Sequence, residues 1–119
     1  MISLWIGLLV GALIACALLV KFMAGTPGVT SADVKEKIRQ GATTLDVRTP
    51  AEYQSGHYTG AKNIPLQDLQ DRLAEIGDKN QAVVIYCASG MRSAKAARIL
   101  TAAGFTDVTN AGGLSNLKP

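Results

Sequence analysis

One stretch of this chain holds the parts of a covalent site: Cys87-Ala-Ser-Gly-Met-Arg92-Ser93. A thiolate is a strong nucleophile, but it forms at neutral pH only where nearby positive charge or hydrogen-bond donors favour it. Small residues and Gly90 let the backbone between Ala88 and Arg92 turn its N–H groups inward, making a concave nest for an anion. A helix beginning just after the loop adds its own free N–H groups at the same point. Cys87 is therefore the candidate nucleophile. Ala88, Ser89, Gly90, Met91 and Arg92 are the candidate anion cradle, with Ser93 supporting it as a helix cap. A lone cysteine at the end of a core strand is often mere apolar filling; the neighbouring glycine, arginine and serine favour chemistry here. His57 is the only imidazole, and a low-pKa thiolate needs no general base, so it is assigned a structural place in its turn. The two cysteines are distant and show neither metal-ligand spacing nor a disulfide framework.

Those residues need a strand before them and a helix behind. Ala82 to Tyr86 is an apolar, β-branched run that reads as a buried parallel strand. An Ala-rich segment from about Arg92 to Ala103, stopped by Gly104, reads as the following helix. Cys87 then lies at the carboxyl end of a sheet strand, where open α/β sheets bind ligands. Around this unit, Thr43 to Val47 reads as a second core strand carrying Asp46 and Arg48 at its end. Glu52, on the next helix, is placed to pair with Arg48. Thr49 and Pro50 make a helix start, and Ser31 caps a helix running to Gln40. Val29 and Thr30 read as a brief edge strand, Ala61 to Ile64 as another short one. Leu66, Leu69, Leu73 and Ile76 give Pro65 to Ile76 helical spacing. Phe105 to Thr109 reads as the last strand, followed by a tight loop at Asn110-Ala-Gly-Gly113 and a short C-terminal helix. Strands alternating with helices predict an α/β domain around a parallel sheet.

With 119 residues and a net charge of +3, the chain has room for one modest core. Its charges are interleaved, and no basic stripe points to nucleic acid. Met1 to Val20 carries no charged side chain, and roughly twenty apolar residues suit a bilayer about 30 Å thick. Trp5 and Phe22 stand where interfacial aromatics would. The expected organisation is a transmembrane anchor over 1–23 with residues 2–20 in the membrane, a linker over 24–28, and a domain over 29–119. Leu13-Ile-Ala-Cys16 is the rival, a lipoprotein signal box. Lys21, Lys35, Lys37 and Arg39 follow the span, so the positive-inside rule predicts a single-pass bacterial inner-membrane protein with a cytoplasmic domain.

Residues 28–119 resemble a single rhodanese domain, the thiosulfate sulfurtransferase-like family. The matching pieces are Leu45-Asp-Val-Arg48, Pro50-Ala-Glu-Tyr53, Gly56-His57 with Gly60-Ala61, Asn63-Ile-Pro65, the Cys87 loop, Ala103-Gly-Phe105 and Gly112-Gly113. The resemblance implies a five-stranded, mostly parallel sheet with helices on both faces. It implies sulfur transfer through a Cys87 persulfide, with no metal or organic cofactor. Backbone N–H groups of the loop would stabilise the persulfide, and Arg92 would hold the head of an anionic donor. The partners implied are a small sulfur donor and a thiol or cyanide acceptor, or a protein in either role. Asp46 and Arg48 would brace the loop and nearby turns. Many members carry a basic residue directly after the nucleophile; this chain has Ala88, which weakens attraction for anionic donors. Leu117 stands where an aromatic is frequent, a packing variation.

Phosphatase and arsenate reductase chemistry, found in relatives of this fold, needs a longer loop, Cys-x5-Arg, to surround a tetrahedral oxyanion. The interval here is Cys-x4-Arg, which suits the terminal sulfur of a persulfide. The remaining alternative is a rhodanese-like module without turnover, a sulfur carrier or protein-binding domain at the membrane.

Overall fold

The structure is a computed structural model that describes residues 29–117. Four strands form one all-parallel sheet: β1 (Thr43–Asp46), β2 (Lys62–Asn63), β3 (Val83–Cys87) and β4 (Val108–Gly113), in the order β2-β1-β3-β4. Among the described residues three α-helices accompany them, α1 (Ser31–Arg39), α2 (Pro50–Ser55) and α3 (Met91–Ala102). The five-strand expectation is corrected to four among the described residues. Val29 and Thr30 pair with nothing in the sheet. Thr30 instead caps α1, its Oγ1 accepting from Asp33 N–H at 3.1 Å while its own N–H donates to Asp33 Oδ2 at 3.3 Å. That reciprocal box takes the capping place expected of Ser31, whose hydroxyl donates to the Asn116 carbonyl at 2.9 Å.

β3 is buried along its whole length, as an inner parallel strand must be. Leu45, Ile85 and Cys87 face one side of the sheet, where Leu69, Ile76, Ala96, Leu100 and Phe105 cover them. Val84 and Tyr86 face the other, against Val34 of α1, Ala61 and Leu117. The period-two alternation of strand side chains thus splits the core in two. Leu117, only 1% exposed, fills its place as a packing residue.

Between β2 and β3 the chain runs through two 3-10 segments, Leu66–Asp71 and Leu73–Glu75, in place of the expected α-helix to Ile76. Leu66 and Leu69, like Leu73 and Ile76, stand three apart, and i,i+3 spacing suits the three-residue turn as well as the α-turn. The C-terminal helix is likewise one 3-10 turn, Leu114–Asn116.

No helix among the described residues is long and apolar enough to cross a membrane. The single-pass membrane placement is corrected accordingly. The anchor expected over 1–23 with residues 2–20 in the bilayer, the 24–28 linker and the Cys16 lipoprotein box lie outside the described residues.

Candidate functional site

Cys87 is the last residue of β3, fully buried, and both neighbouring elements close on it. Gly90 sits in the left-handed region at φ 98° and directly precedes α3. That conformation turns its N–H back onto Cys87 Sγ at 2.9 Å. Ser93 Oγ lies 3.3 Å from the same sulfur. Burial pushes the thiol pKa up. Hydrogen bonds from the Ser93 side chain and from the Ser93, Gly90 and Ser89 backbone outweigh it, and the net shift is downward. The loop therefore favours the thiolate by directed donors rather than by a neighbouring lysine or histidine.

Ser93 does this from within α3. Gly90 occupies the cap position and no side chain caps this helix, so the capping role expected of Ser93 is corrected. The Ser93 hydroxyl donates to Asn110 Oδ1 at 2.7 Å, and Asn110 Oδ1 also accepts from Gly112 N–H at 2.9 Å. Asn110 Nδ2 in turn donates to the Gly90 carbonyl at 3.3 Å. One hydroxyl proton thus has two acceptors, the sulfur and the Asn110 amide. With a thiol, the S–H can donate to Ser93 Oγ while the hydroxyl serves Asn110. With a thiolate, the hydroxyl can turn to the sulfur, leaving Asn110 Oδ1 its bond from Gly112.

A bulge in β4 brings Asn110 and the glycines to the loop. Ile85 pairs with Asn110, but Tyr86 pairs with Gly112, leaving Ala111 as the extra residue. The strand then passes so close beneath the loop that a Cβ on Gly113 would stand 2.4 Å from the Ala88 carbonyl oxygen. Neither Asn110 nor this glycine contact is evident from sequence, where Asn110–Gly113 reads as a loop. The only signal is the pair of glycines.

Arg92, the second residue of α3, does not reach into open space. Its Nη1 and Nη2 bond Glu52 Oε1 and Oε2 at 2.6 and 2.9 Å, and each side chain is 35% exposed. Hydrogen bonding from Arg92 holds the Glu52 carboxyl down at about 2. The Glu52–Arg48 pair expected from sequence is corrected: Arg48 pairs with Asp46 instead, at 2.7 Å, both nearly solvent-free. Arg48 also donates to the Gly56 carbonyl at 2.7 Å and lies 5.6 Å from the Tyr86 ring centroid. Asp46 and Arg48 thus brace the turn after α2 and the end of β1. His57 stacks on Tyr53 and its Nδ1 lies 2.9 Å from the Tyr53 carbonyl oxygen.

Ala88 and Ser89 are exposed at the mouth, and Met91 is 80% exposed beside them. A cleft of about 220 Å³ next to the loop is lined by Val47, Thr49, Pro65, Leu66, Gln67 and Arg92. Among the described residues no cluster of metal-ligating side chains occurs.

The family model described as "Rhodanese-like domain" matches residues 30–118. Thiosulfate sulfurtransferase PspE of Escherichia coli is 46% identical over 74 residues, which span 61% of this chain and 71% of that protein. A solved rhodanese with anions from E. coli superposes with a TM-score of 0.61 at 44% identity, covering 64% of this chain and 91% of that one. The human single-domain sulfurtransferase TSTD1 superposes with a TM-score of 0.68 at 25% identity, covering 78% of this chain and 95% of that one.

Proposed function

This chain belongs to the rhodanese-like domain family and is a sulfurtransferase enzyme, and we propose that it moves one sulfane sulfur from thiosulfate or a persulfide donor to a thiophilic acceptor through a persulfide on Cys87. The Cys87 thiolate attacks the outer sulfur of thiosulfate. The bond to the inner sulfur breaks, and its electron pair leaves with sulfite. With a persulfide donor the same attack releases a thiolate. The enzyme then holds Cys87–S–S⁻, which gives its outer sulfur to cyanide, a small thiol or a protein thiol and returns to the thiolate. This is ping-pong covalent catalysis.

The observation that carries this reading is the convergence of Gly90 N–H and Ser93 Oγ on one buried sulfur, at 2.9 and 3.3 Å. Donors fixed before the reaction stabilise a sulfur anion without reorganising, the logic of an oxyanion hole. The similar E. coli rhodanese was solved with anions, and a cradle of this kind is suited to holding one. Ser89 and Gly90 supply the nest, Ala88 and Met91 border the entrance, and Arg92 stands at the donor side. The domain carrying this chemistry is taken as 29–119. A non-turnover sulfur carrier is the second reading, favoured by Ala88 and by an Arg92 already paired to Glu52.

The test is intact mass of the full-length chain after thiosulfate and again after cyanide, beside Cys87→Ser. One added sulfur, removed by cyanide with thiocyanate released and absent in Cys87→Ser, is the expected result. A gain from a persulfide donor but none from thiosulfate supports the carrier. No gain from either overturns the sulfur-transfer reading.

A further inference from the structure

Among the described residues Arg92 is the one cation lining the cleft beside the Cys87 loop; the other five are Val47, Thr49, Pro65, Leu66 and Gln67, all uncharged. Arg48, the nearest alternative by sequence, is only 6% exposed and committed to Asp46. An anionic donor entering here has one guanidinium to bind, and Glu52 already holds it at two points.

Glu52 is not free to swing away. Its Oε1 accepts from Thr49 N–H at 3.2 Å and from the Thr49 hydroxyl at 3.1 Å, completing the capping box that starts α2. Thr49 Oγ1 accepts in return from Glu52 N–H at 3.2 Å. The carboxylate is thus fixed by its own helix start on one side and by Arg92 on the other. Hydrogen bonding from Arg92 holds its pKa at about 2, so it is ionised at neutral pH and protons do not release Arg92 there. A donor sulfonate must compete with this carboxylate for the guanidinium. A donor whose leaving half bears no charged head group needs no such exchange and meets the backbone cradle directly, with the exposed Met91 thioether beside the entrance.

Resting on the Cys87 persulfide reading, we infer that Glu52 sets donor preference. By occupying Arg92 it turns the site away from donors with an anionic head, such as thiosulfate, and toward persulfides with an uncharged head. Glu52 touches no reacting atom; it is a positioning residue that acts through Arg92. The bonds made and broken at Cys87 stay as described, and only the binding of the donor's leaving half differs.

The test is single-turnover sulfur loading of the full-length chain, followed by intact mass over a range of donor concentrations. Thiosulfate is compared with the persulfide of 2-mercaptoethanol in the wild type and in Glu52→Gln. The glutamine keeps an acceptor for Thr49 N–H but removes the charge that competes for Arg92. A pair one-third exposed is screened by solvent, so the half-saturating thiosulfate concentration should fall only about fivefold. The maximal loading rate should change far less, and the half-saturating concentration of the persulfide with its uncharged hydroxyethyl head should not follow. An unchanged thiosulfate value, or an equal change for both donors, overturns the inference. If Glu52→Gln fails a thermal melt, Glu52→Asp decides by the same comparison. Aspartate keeps the charge but draws back from Arg92 by one methylene, and it should shift thiosulfate in the same direction. Loading of the wild type by neither donor overturns the Cys87 reading itself; loading by either, without donor discrimination in the variants, overturns the Glu52 inference alone.

Discussion

At the scale of single residues the site is a contest over one sulfur. Burial raises the Cys87 pKa, and the Ser93 hydroxyl and three backbone groups bring it down past its ordinary value. Such a group adds stability that is fully present above its unfolded pKa and lost as pH falls through the folded one. The thiolate should therefore titrate below pH 9.0, the ordinary value for the group. Sulfur loading should rise with pH and level off below that point. Removing a hydrogen bond to a charged group typically costs about 1.5–3 kcal/mol. Ser93→Ala should accordingly slow loading at neutral pH by roughly tenfold or more, and move the plateau to higher pH. Ultraviolet absorbance of the thiolate against pH, read beside the loading rate, checks both. An unmoved titration would assign Ser93 to packing. The placing of Cys87 at the end of β3, before the Gly90 turn, is legible from the sequence, but the Ser93–Asn110 link is not. The two residues are 17 positions apart and meet only because α3 packs on β4.

At the scale of elements, β1 and β3 are readable because an inner parallel strand must be a continuous apolar run. Ala-rich composition and Gly104 mark α3 to within a residue or two at each end. β4 departs from its expected place because its strand character does not come from its own residues. Expected over Phe105 to Thr109, it runs over Val108–Gly113, through Asn-Ala-Gly-Gly, which has poor strand propensity. Phe105 is instead tucked into the core just after the helix stop. Tertiary contact decides here: only glycine lets the strand pass under the Ala88 carbonyl. Gly113 has an ordinary φ of −87°, so the constraint is space rather than backbone strain. Gly113→Ala should force the loop outward and cost about 1–3 kcal/mol, as overpacking does. A lowered melting temperature together with slower loading of Cys87 is the expected outcome. A stability loss with unchanged loading would show that the loop tolerates the shift.

At the scale of the whole molecule, the sheet separates two apolar layers that share only its strands. Leu100 of α3 is fully buried in the layer that also contains Cys87. Leu100→Ala should destabilise the domain by about 2–5 kcal/mol, measured by denaturant midpoint. Loading per folded molecule should hold, since Leu100 makes none of the hydrogen bonds that define the cradle. A loss of loading without a loss of stability would mean that the layer positions the thiolate rather than merely supporting the fold. The two-layer plan is legible from the alternation of elements. The strand count is not, because Val29 and Thr30 look like strand residues while Thr30 is engaged as a helix cap.

The all-parallel sheet also orders events in time. Among the described residues no hairpin joins neighbouring strands: β1 lies beside β3, with Thr43 opposite Val83, so this contact closes only after a long intervening segment has been traversed. Loop-closure entropy makes such pairings late and slow. The donors and supports at Cys87 come from Gly90, Ser93 and Asn110, and the loop's floor from Gly113. On the proposed Cys87 mechanism, a chain in which β4 has not docked has the Gly90 and Ser93 donors without their Asn110 and Gly113 supports, and its thiol should load sulfur more slowly.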